Sequence, residues 1–386
     1  MTQQVAVYHN IVWPKYKGAV FSALNELSLA QGPGIGFVQI AETDGERAAL
    51  SGVDMRYHRY PFELVFKGAY DAVPTRRLVW ALARHVARSP ARLVVLPGYH
   101  RLEYWSMLLA CMLTRKRRAV FCDSTTQDRP RGFVKGLLKR LFFINCDGFF
   151  GYGQRSAEYL RANGVAAARI YQPCQAAALP LGFDAAQALA RRVAARALAP
   201  EARVLYVGRL SAEKDLPSLL KAFQQFRAER AAARLVLVGA GPQRDMLVAQ
   251  AAALGLASSV EFTGAMDIEG LADQYARALC LVLPSTSEPW GLVVNEALHH
   301  GCPVLVSESC GCRPELVADG VTGFAYAAGN VQALHGGLVR ITDTMGTTAA
   351  VAAVAAACQQ HMTAYTPRHA AEHILAGCIS MLGTAR

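Results

Sequence analysis

A chain of 386 residues with 53% hydrophobic content holds enough apolar material for two cores, which excludes a disordered segment. Its net charge of +11 sits in one half: residues 1–170 carry 24 Lys/Arg against 12 Asp/Glu, residues 171–386 carry 16 against 17. No run reaches the ~18–20 apolar residues of a membrane-spanning helix, and the start lacks the pattern of a signal peptide, so a cytoplasmic chain is expected.

The elements alternate from the start. Residues 5–8, 37–40, 93–96 and 119–122 read as strands, the third closed by Pro97 and Gly98. Residues 76–87, 103–113 and 133–144 repeat apolar side chains at helical spacing between or after them. Strands alternating with helices predict a parallel sheet covered on both faces. Residues 172–200 change character: Pro173, Pro180 and Pro200 bracket an Ala-rich stretch, read as an inter-domain connection. A second alternation follows, with strands at 203–207, 235–238, 260–262, 280–283 and 303–307 and helices at 216–229, 246–254, 271–278 and 291–300. The fold class is therefore α/β with two doubly wound domains. Ten cysteines scattered through apolar stretches predict reduced, buried thiols. Cys310 and Cys312 stand close together, but no second Cys or His pair completes a zinc spacing, so no metal site is expected.

Ligands of doubly wound sheets sit beyond the carboxyl ends of the strands. Four segments of the second half fall there. Gly208 permits a tight turn beside Arg209 and Lys214, two cations suited to a diphosphate; a solvated surface loop fits equally well. Gly239 and Gly241 begin a dinucleotide-like turn, but Arg244 stands where a third glycine belongs, so a plain structural turn is also open. Glu288, Pro289, Trp290 and Gly291 lead into a helix with Leu292 and Val293, and Glu296 lies about one and a half turns in. A helix N-terminus offers amides to a phosphate, and the two carboxylates can hold sugar hydroxyls. Last, residues 309–324 read as a strand-end loop, a short helix and a turn.

This set resembles the retaining glycosyltransferases of family 4, which have the GT-B fold, over residues 200–330. The likeness rests on the Gly208-Arg209-Leu210 and Glu213-Lys214-Asp215 loop, the Gly239-x-Gly241-Pro242 turn, Phe262-Thr263-Gly264, and Glu288-x7-Glu296 followed by Gly301-Cys302-Pro303. The resemblance implies two Rossmann-like domains facing a central cleft: 1–175 for the acceptor, 176–200 connecting, 201–365 for the donor, and a helix at 366–386 crossing back to the first domain. It implies that Arg209 and Lys214 bind the donor diphosphate, Glu288 the transferred sugar, Glu296 the ribose, and the amides of Gly291 and Leu292 the distal phosphate. It also implies that neither metal nor cofactor is required.

The first half departs from the family, which often has a double glycine after its first strand. Here Tyr16-Lys17-Gly18-Ala19 has one, and Gly18 is expected near the donor phosphates. Tyr99 and His100 end one strand, and Asp123 and Ser124 the next, so these four are the candidate acceptor residues. Residues 133–144 combine Phe133, Val134, Leu137, Leu138, Leu141 and Phe142 with Lys135, Lys139 and Arg140, near Arg129, Arg131 and the basic run 115–118. Such a helix either lies on an anionic membrane or packs in the core with a basic outer face. The basic half points to a membrane surface or an anionic acceptor; nucleic acid has charge alone in its favour and is not expected.

The expected activity is transfer of a sugar from a UDP or GDP sugar to a hydroxyl of a glycan or lipid-linked acceptor with retention, as in bacterial surface-polysaccharide or glycolipid assembly. A sugar-nucleotide epimerase, a phosphorylase and a non-catalytic nucleotide-sugar-binding protein are the alternatives. Peripheral attachment to the inner membrane face is left open.

Overall fold

A computed structural model describes residues 3–45, 47, 52–126, 133–199 and 201–383, with the side chains of Gln31, Phe133 and Val134 left out. The chain divides into two compact units, Met1–Ala178 with Thr366–Arg386, and Leu179–Tyr365.

The first unit runs β1 (Gln3–Ile11), α1 (Lys15–Gln31), β2 (Gly34–Ala41), β3 (Phe62–Leu64), α2 (Thr75–Arg88), β4 (Leu93–Leu96), α3 (Leu102–Leu113), β5 (Arg117–Cys122), α4 (Phe133–Ile144), β6 (Gly148–Gly151), α5 (Gln154–Ala162) and β7 (Ile170–Tyr171). Its sheet is parallel throughout, in the order β3-β2-β1-β4-β5-β6-β7. The direction of winding reverses between β1 and β4, which opens a crevice at their carboxyl ends. β4 and β6 are buried at every position, as expected of central strands covered on both faces.

The second unit runs α6 (Ala185–Leu198), β8 (Arg203–Val207), α7 (Leu216–Glu229), β9 (Arg234–Val238), α8 (Arg244–Ala253), β10 (Val260–Gly264), α9 (Ile268–Arg277), β11 (Cys280–Leu283), α10 (Leu292–His299), β12 (Val304–Ser307), α11 (Arg313–Leu316), β13 (Gly323–Tyr326), α12 (Val331–Thr344) and α13 (Thr348–Met362). Its strand order is β10-β9-β8-β11-β12-β13, again parallel, with the reversal between β8 and β11. The last helix, α14 (Pro367–Gly383), belongs to the first unit, where it packs on α1. Gly377 lets it come close, because a Cβ there would lie 2.6 Å from the Phe150 ring.

Two sequence expectations change. The expected connection 176–200 contains α6, which is a working part of the second unit. Arg192 of α6 is fully buried and donates to the carbonyls of Tyr275 at 2.7 Å and Ala278 at 2.9 Å. Gly323 and Phe324, read as a turn, open the edge strand β13; a Cβ at Gly323 would sit 1.8 Å from the Val304 carbonyl oxygen. All ten cysteines are buried, as their apolar settings imply. No single helix among the described residues is long and apolar enough to cross a membrane.

Candidate functional site

The crevice of the second unit is built by the loops after β8, β9, β11 and β12. Lys214 ends a short 3-10 turn after β8, and Glu288 lies in the loop after β11. The two form an ion pair 74 residues apart, with 13% and 14% of their side chains exposed. The Thr286 amide donates to the Glu213 carbonyl at 2.8 Å and fixes the same two loops together. Arg209 points outward, 63% exposed, within 3.7 Å of Glu213. The Tyr206 hydroxyl donates to the Arg209 carbonyl at 2.6 Å. Burial of that phenol raises its pKa well above the usual range, so it serves as a donor.

The glycines have a reason besides ligand approach. Gly239 has φ of 137°, and a Cβ there would lie 1.9 Å from the Gly208 carbonyl oxygen. At Gly241 a Cβ would meet the Leu210 carbonyl oxygen at 2.5 Å. The Leu210 amide donates to Ala240 at 2.9 Å, and the Gln243 amide donates back to Leu210 at 3.0 Å. The incomplete dinucleotide-like turn is thus a backbone-to-backbone seam between two loops, which only glycine allows.

The loop holding Glu288 is locked the same way. The Gly311 amide donates to the Glu288 carbonyl at 2.8 Å and the Cys312 amide to the Trp290 carbonyl at 3.0 Å. A Cβ at Gly311 would lie 1.8 Å from the Pro289 carbonyl oxygen. Trp290 is buried, with Nε1 donating to Asn295 Oδ1 at 2.8 Å. Its side chain is therefore a staple of the loop rather than a ligand surface. Gly291, at φ of 100°, stands at the N-cap of α10 and makes no side-chain cap. Leu292 and Val293 form the first turn, half-buried. Glu296 follows on α10, half-buried, accepting from the Tyr275 hydroxyl at 2.8 Å. Burial pushes its carboxyl up to about 7, opposed by that hydrogen bond. Tyr275 was missed in the sequence, because nothing in α9 marks it.

In the first unit, Tyr99, His100 and Asp123 line one cavity of about 230 Å³ with Tyr16, Lys17 and Tyr152. Tyr99 and Ser124 meet: the buried Tyr99 hydroxyl donates to Ser124 Oγ at 2.6 Å. His100 is exposed, with its ring against Tyr104. Gly18 answers to packing, since a Cβ would lie 2.8 Å from both the Tyr57 carbonyl oxygen and the His58 ring. A second cavity of about 550 Å³ is shared by Tyr99, His100, Ser124 and Trp105 with Lys135 and Lys139 of α4.

Residues 192–345 match the family of glycosyl transferases group 1. That stretch lies wholly within the second unit and holds every group of its crevice. An uncharacterised glycosyltransferase of Methanocaldococcus jannaschii is 34% identical over 146 residues, 38% of this chain and 37% of that protein. The glycogen synthase of Mycobacterium tuberculosis is 35% identical over 142 residues, 37% of this chain and 34% of that protein. These curated relatives are thus matched over little more than a third of their own length. The Anabaena protein HepE, solved in complex with UDP, matches 98% of this chain and 100% of its own, with a TM-score of 0.74 at 18% identity. That likeness covers both units and shows the GT-B fold.

Proposed function

We propose that this chain is a retaining glycosyltransferase of family 4 that moves a sugar from a UDP or GDP sugar to a hydroxyl without a metal ion. One observation carries the reading. At the reversal point of the second sheet, Lys214 and Glu288 converge beside the N-terminus of α10, with Glu296 and Tyr275 behind. A cation for the diphosphate, amides for its distal end and two carboxylates for hydroxyls stand on loops held by backbone contacts. The UDP bound by HepE suits the same assignment.

The roles follow. Lys214 and Arg209 stabilise the departing diphosphate, and Glu288 holds the transferred sugar while keeping Lys214 in position. Glu296 holds the ribose. Retention with same-face attack has a donor phosphate oxygen take the acceptor proton, so the protein mainly positions and neutralises. The cavities around Tyr99, His100, Asp123 and Ser124 take a glycan or lipid-linked acceptor, in polysaccharide or glycolipid assembly.

A thermal-shift screen with UDP, GDP, ADP and their sugar conjugates tests this. A ligand at 100 times its Kd adds ~2.7 kcal/mol. A shift with one diphosphate that Glu296→Ala abolishes is the expected result, unaffected by chelator. No shift with any of them would sink the donor assignment.

A membrane role for α4 rests on its exposed side chains. Phe142 and Phe143 face the core, but Leu137 is 61% exposed and Ile144 75%, with Leu138 and Leu141 about half. Lys135 and Arg140 are exposed beside them. Lys139 turns away and donates to the Tyr159 hydroxyl at 2.8 Å. Arg129 and Arg131 lie outside the described residues. The apolar face continues on α3, where Leu113 is 76% exposed and Leu109 55%; Trp105 of α3 and Phe142 of α4 hold the two helices together. An apolar strip edged with cations suits an anionic bilayer surface.

A further inference from the structure

The first unit keeps a buried cation that the transfer chemistry above does not use. Lys17 stands in the first turn of α1 and is 2% exposed. Its Nζ makes no hydrogen bond among the described residues. It lies 4.9 Å from the Phe121 ring centre, 4.8 Å from that of Tyr152 and 5.7 Å from that of Tyr16. Cation–π contacts return ~0.5–2 kcal/mol each, of the order of the several kcal/mol a desolvated ammonium costs, but they satisfy none of its N–H donors.

Its surroundings show what it lacks. Lys17 lines the 230 Å³ cavity with Tyr99 and Asp123. The other cations there are already engaged: Arg47 with Asp44, and Arg101 with Glu103 at 2.7 Å. Asp123 is exposed and reaches Lys17 through space rather than by a hydrogen bond. His9 and His58 stay neutral, lowered to about 3 and about 4, both mainly by burial. Burial raises the Tyr16 and Tyr152 phenols and the Cys174 thiol, which keeps them uncharged too. The N-terminus of α1 opens at Pro14, which lines the cavity and gives no side-chain cap. Helix polarity and ammonium therefore favour the same sign of ligand. The surplus of positive charge over residues 1–170 draws that ligand in.

We propose that Lys17 forms an oxyanion subsite, and that it binds a carboxylate or phosphate carried by the acceptor. At 230 Å³ the cavity is smaller than the ~300–1,000 Å³ of typical ligand sites, which limits the occupant to about one anionic sugar or headgroup. The anion site stands on the cavity itself; its assignment to an acceptor rests on the transferase reading.

Thermal shifts of the full chain with inorganic phosphate, glucuronate and glucose at constant ionic strength test it, in wild type and Lys17→Met, with UDP in parallel. Phosphate or glucuronate should stabilise the wild type, glucose should not, and the variant should bind the anion ~10–100-fold more weakly while keeping its response to UDP. A response to phosphate alone identifies a phosphate ester, and to glucuronate alone an acidic sugar. Anion shifts absent from the wild type, or undiminished in the variant, would overturn the subsite. Loss of the UDP response in the variant would move Lys17 to the donor and overturn the acceptor assignment. If UDP is inert on both proteins while the anion effect holds, the subsite survives and the transferase reading fails.

A second measurement needs no variant. Burial lowers the Lys17 ammonium to about 8, and the His9 and His58 rings, the Tyr16 and Tyr152 phenols and the Cys174 thiol stay neutral on either side of that value. Glucuronate affinity should therefore be constant below pH 7 and fall ~tenfold per unit above about 8. A flat profile to pH 9.5 would exclude Lys17 as the ligand.

Discussion

The two crevices solve the same geometric problem in opposite ways. In the second unit the charged groups are paired before any ligand arrives, Lys214 with Glu288, and the loops are sewn together by glycines that admit no side chain. In the first unit the cavity is walled by phenols, and its buried Lys17 has no hydrogen-bond partner among the described residues. A crevice whose charged groups are held by their own ion pair is organised before a ligand enters, which favours positioning a ligand that is always the same. A crevice holding a bare ammonium is incomplete until an anion enters, which favours selection among ligands.

The largest effects should come from the glycine seams. Gly239→Ala places a Cβ 1.9 Å from the Gly208 carbonyl oxygen at φ of 137°, and backbone has little room to yield. We expect a loss of ~3 kcal/mol or more, which for a unit of this size is ~6–12 °C in Tm. Gly136→Ala, within α4 and with open space around it, should instead gain ~0.5–1 kcal/mol. Calorimetry decides; equal costs at the two sites would mean that the seam does not define the second unit.

The ion pair comes next. Lys214→Met leaves a mostly buried Glu288 without its cation and should cost ~1–3 kcal/mol. Lys214→Met with Glu288→Met should recover part of that stability. Donor turnover should fall at least tenfold in the single and the double variant alike. Turnover restored along with stability would make the pair a structural staple and not a donor group.

The second crevice was legible in the sequence because its chemistry is local: strand, glycine turn, charged loop, helix start, repeated in order. Lys214 and Glu288 were chosen separately, yet they meet, because both follow strands flanking the reversal point. The first crevice was legible only in outline. Tyr99, His100, Asp123 and Ser124 were chosen as candidates from strand ends, and three of them line the cavity, but Lys17 was passed over beside Gly18, since burial of a lysine leaves no mark in its own segment. Helix α1 escaped for a related reason: it packs against α14 and is buried or half-buried along most of its length, yet its polar and apolar residues are interleaved, and the helical period fades. Helix α6 was mistaken for connection because Arg192, fully buried, looks like a surface residue in a sequence.

Glu296 allows a finer contrast, since it is the second unit's counterpart to the strained Lys17. Its carboxyl is pushed from 4.5 up to about 7 by burial. The folded chain therefore favours the neutral form. The resulting stabilisation is complete below about 4.5 and is lost as pH rises through about 7. Glu296→Gln should flatten the Tm profile across that window. Ribose hydroxyls donate best to the carboxylate, so UDP binding should release a proton near pH 7, visible as buffer-dependent heat in calorimetric titration. Binding heat independent of buffer would remove Glu296 from the ribose contact.

The smallest effect on the folded protein is expected at α4, and that is what makes it informative. Leu137, Leu138, Leu141 and Ile144 already face solvent, so replacing all four with serine removes little native packing, and Tm should move by no more than ~1 kcal/mol equivalent. If the strip docks on an anionic bilayer, the same variant should lose most of its co-sedimentation with phosphatidylglycerol vesicles. Lys135→Gln with Arg140→Gln should weaken binding by ~1 kcal/mol per charge near the surface, most clearly at low salt. Binding unchanged in both variants would free α4 from the membrane and leave its leucines for an acceptor's lipid tail, which the adjoining 550 Å³ cavity has the room to receive.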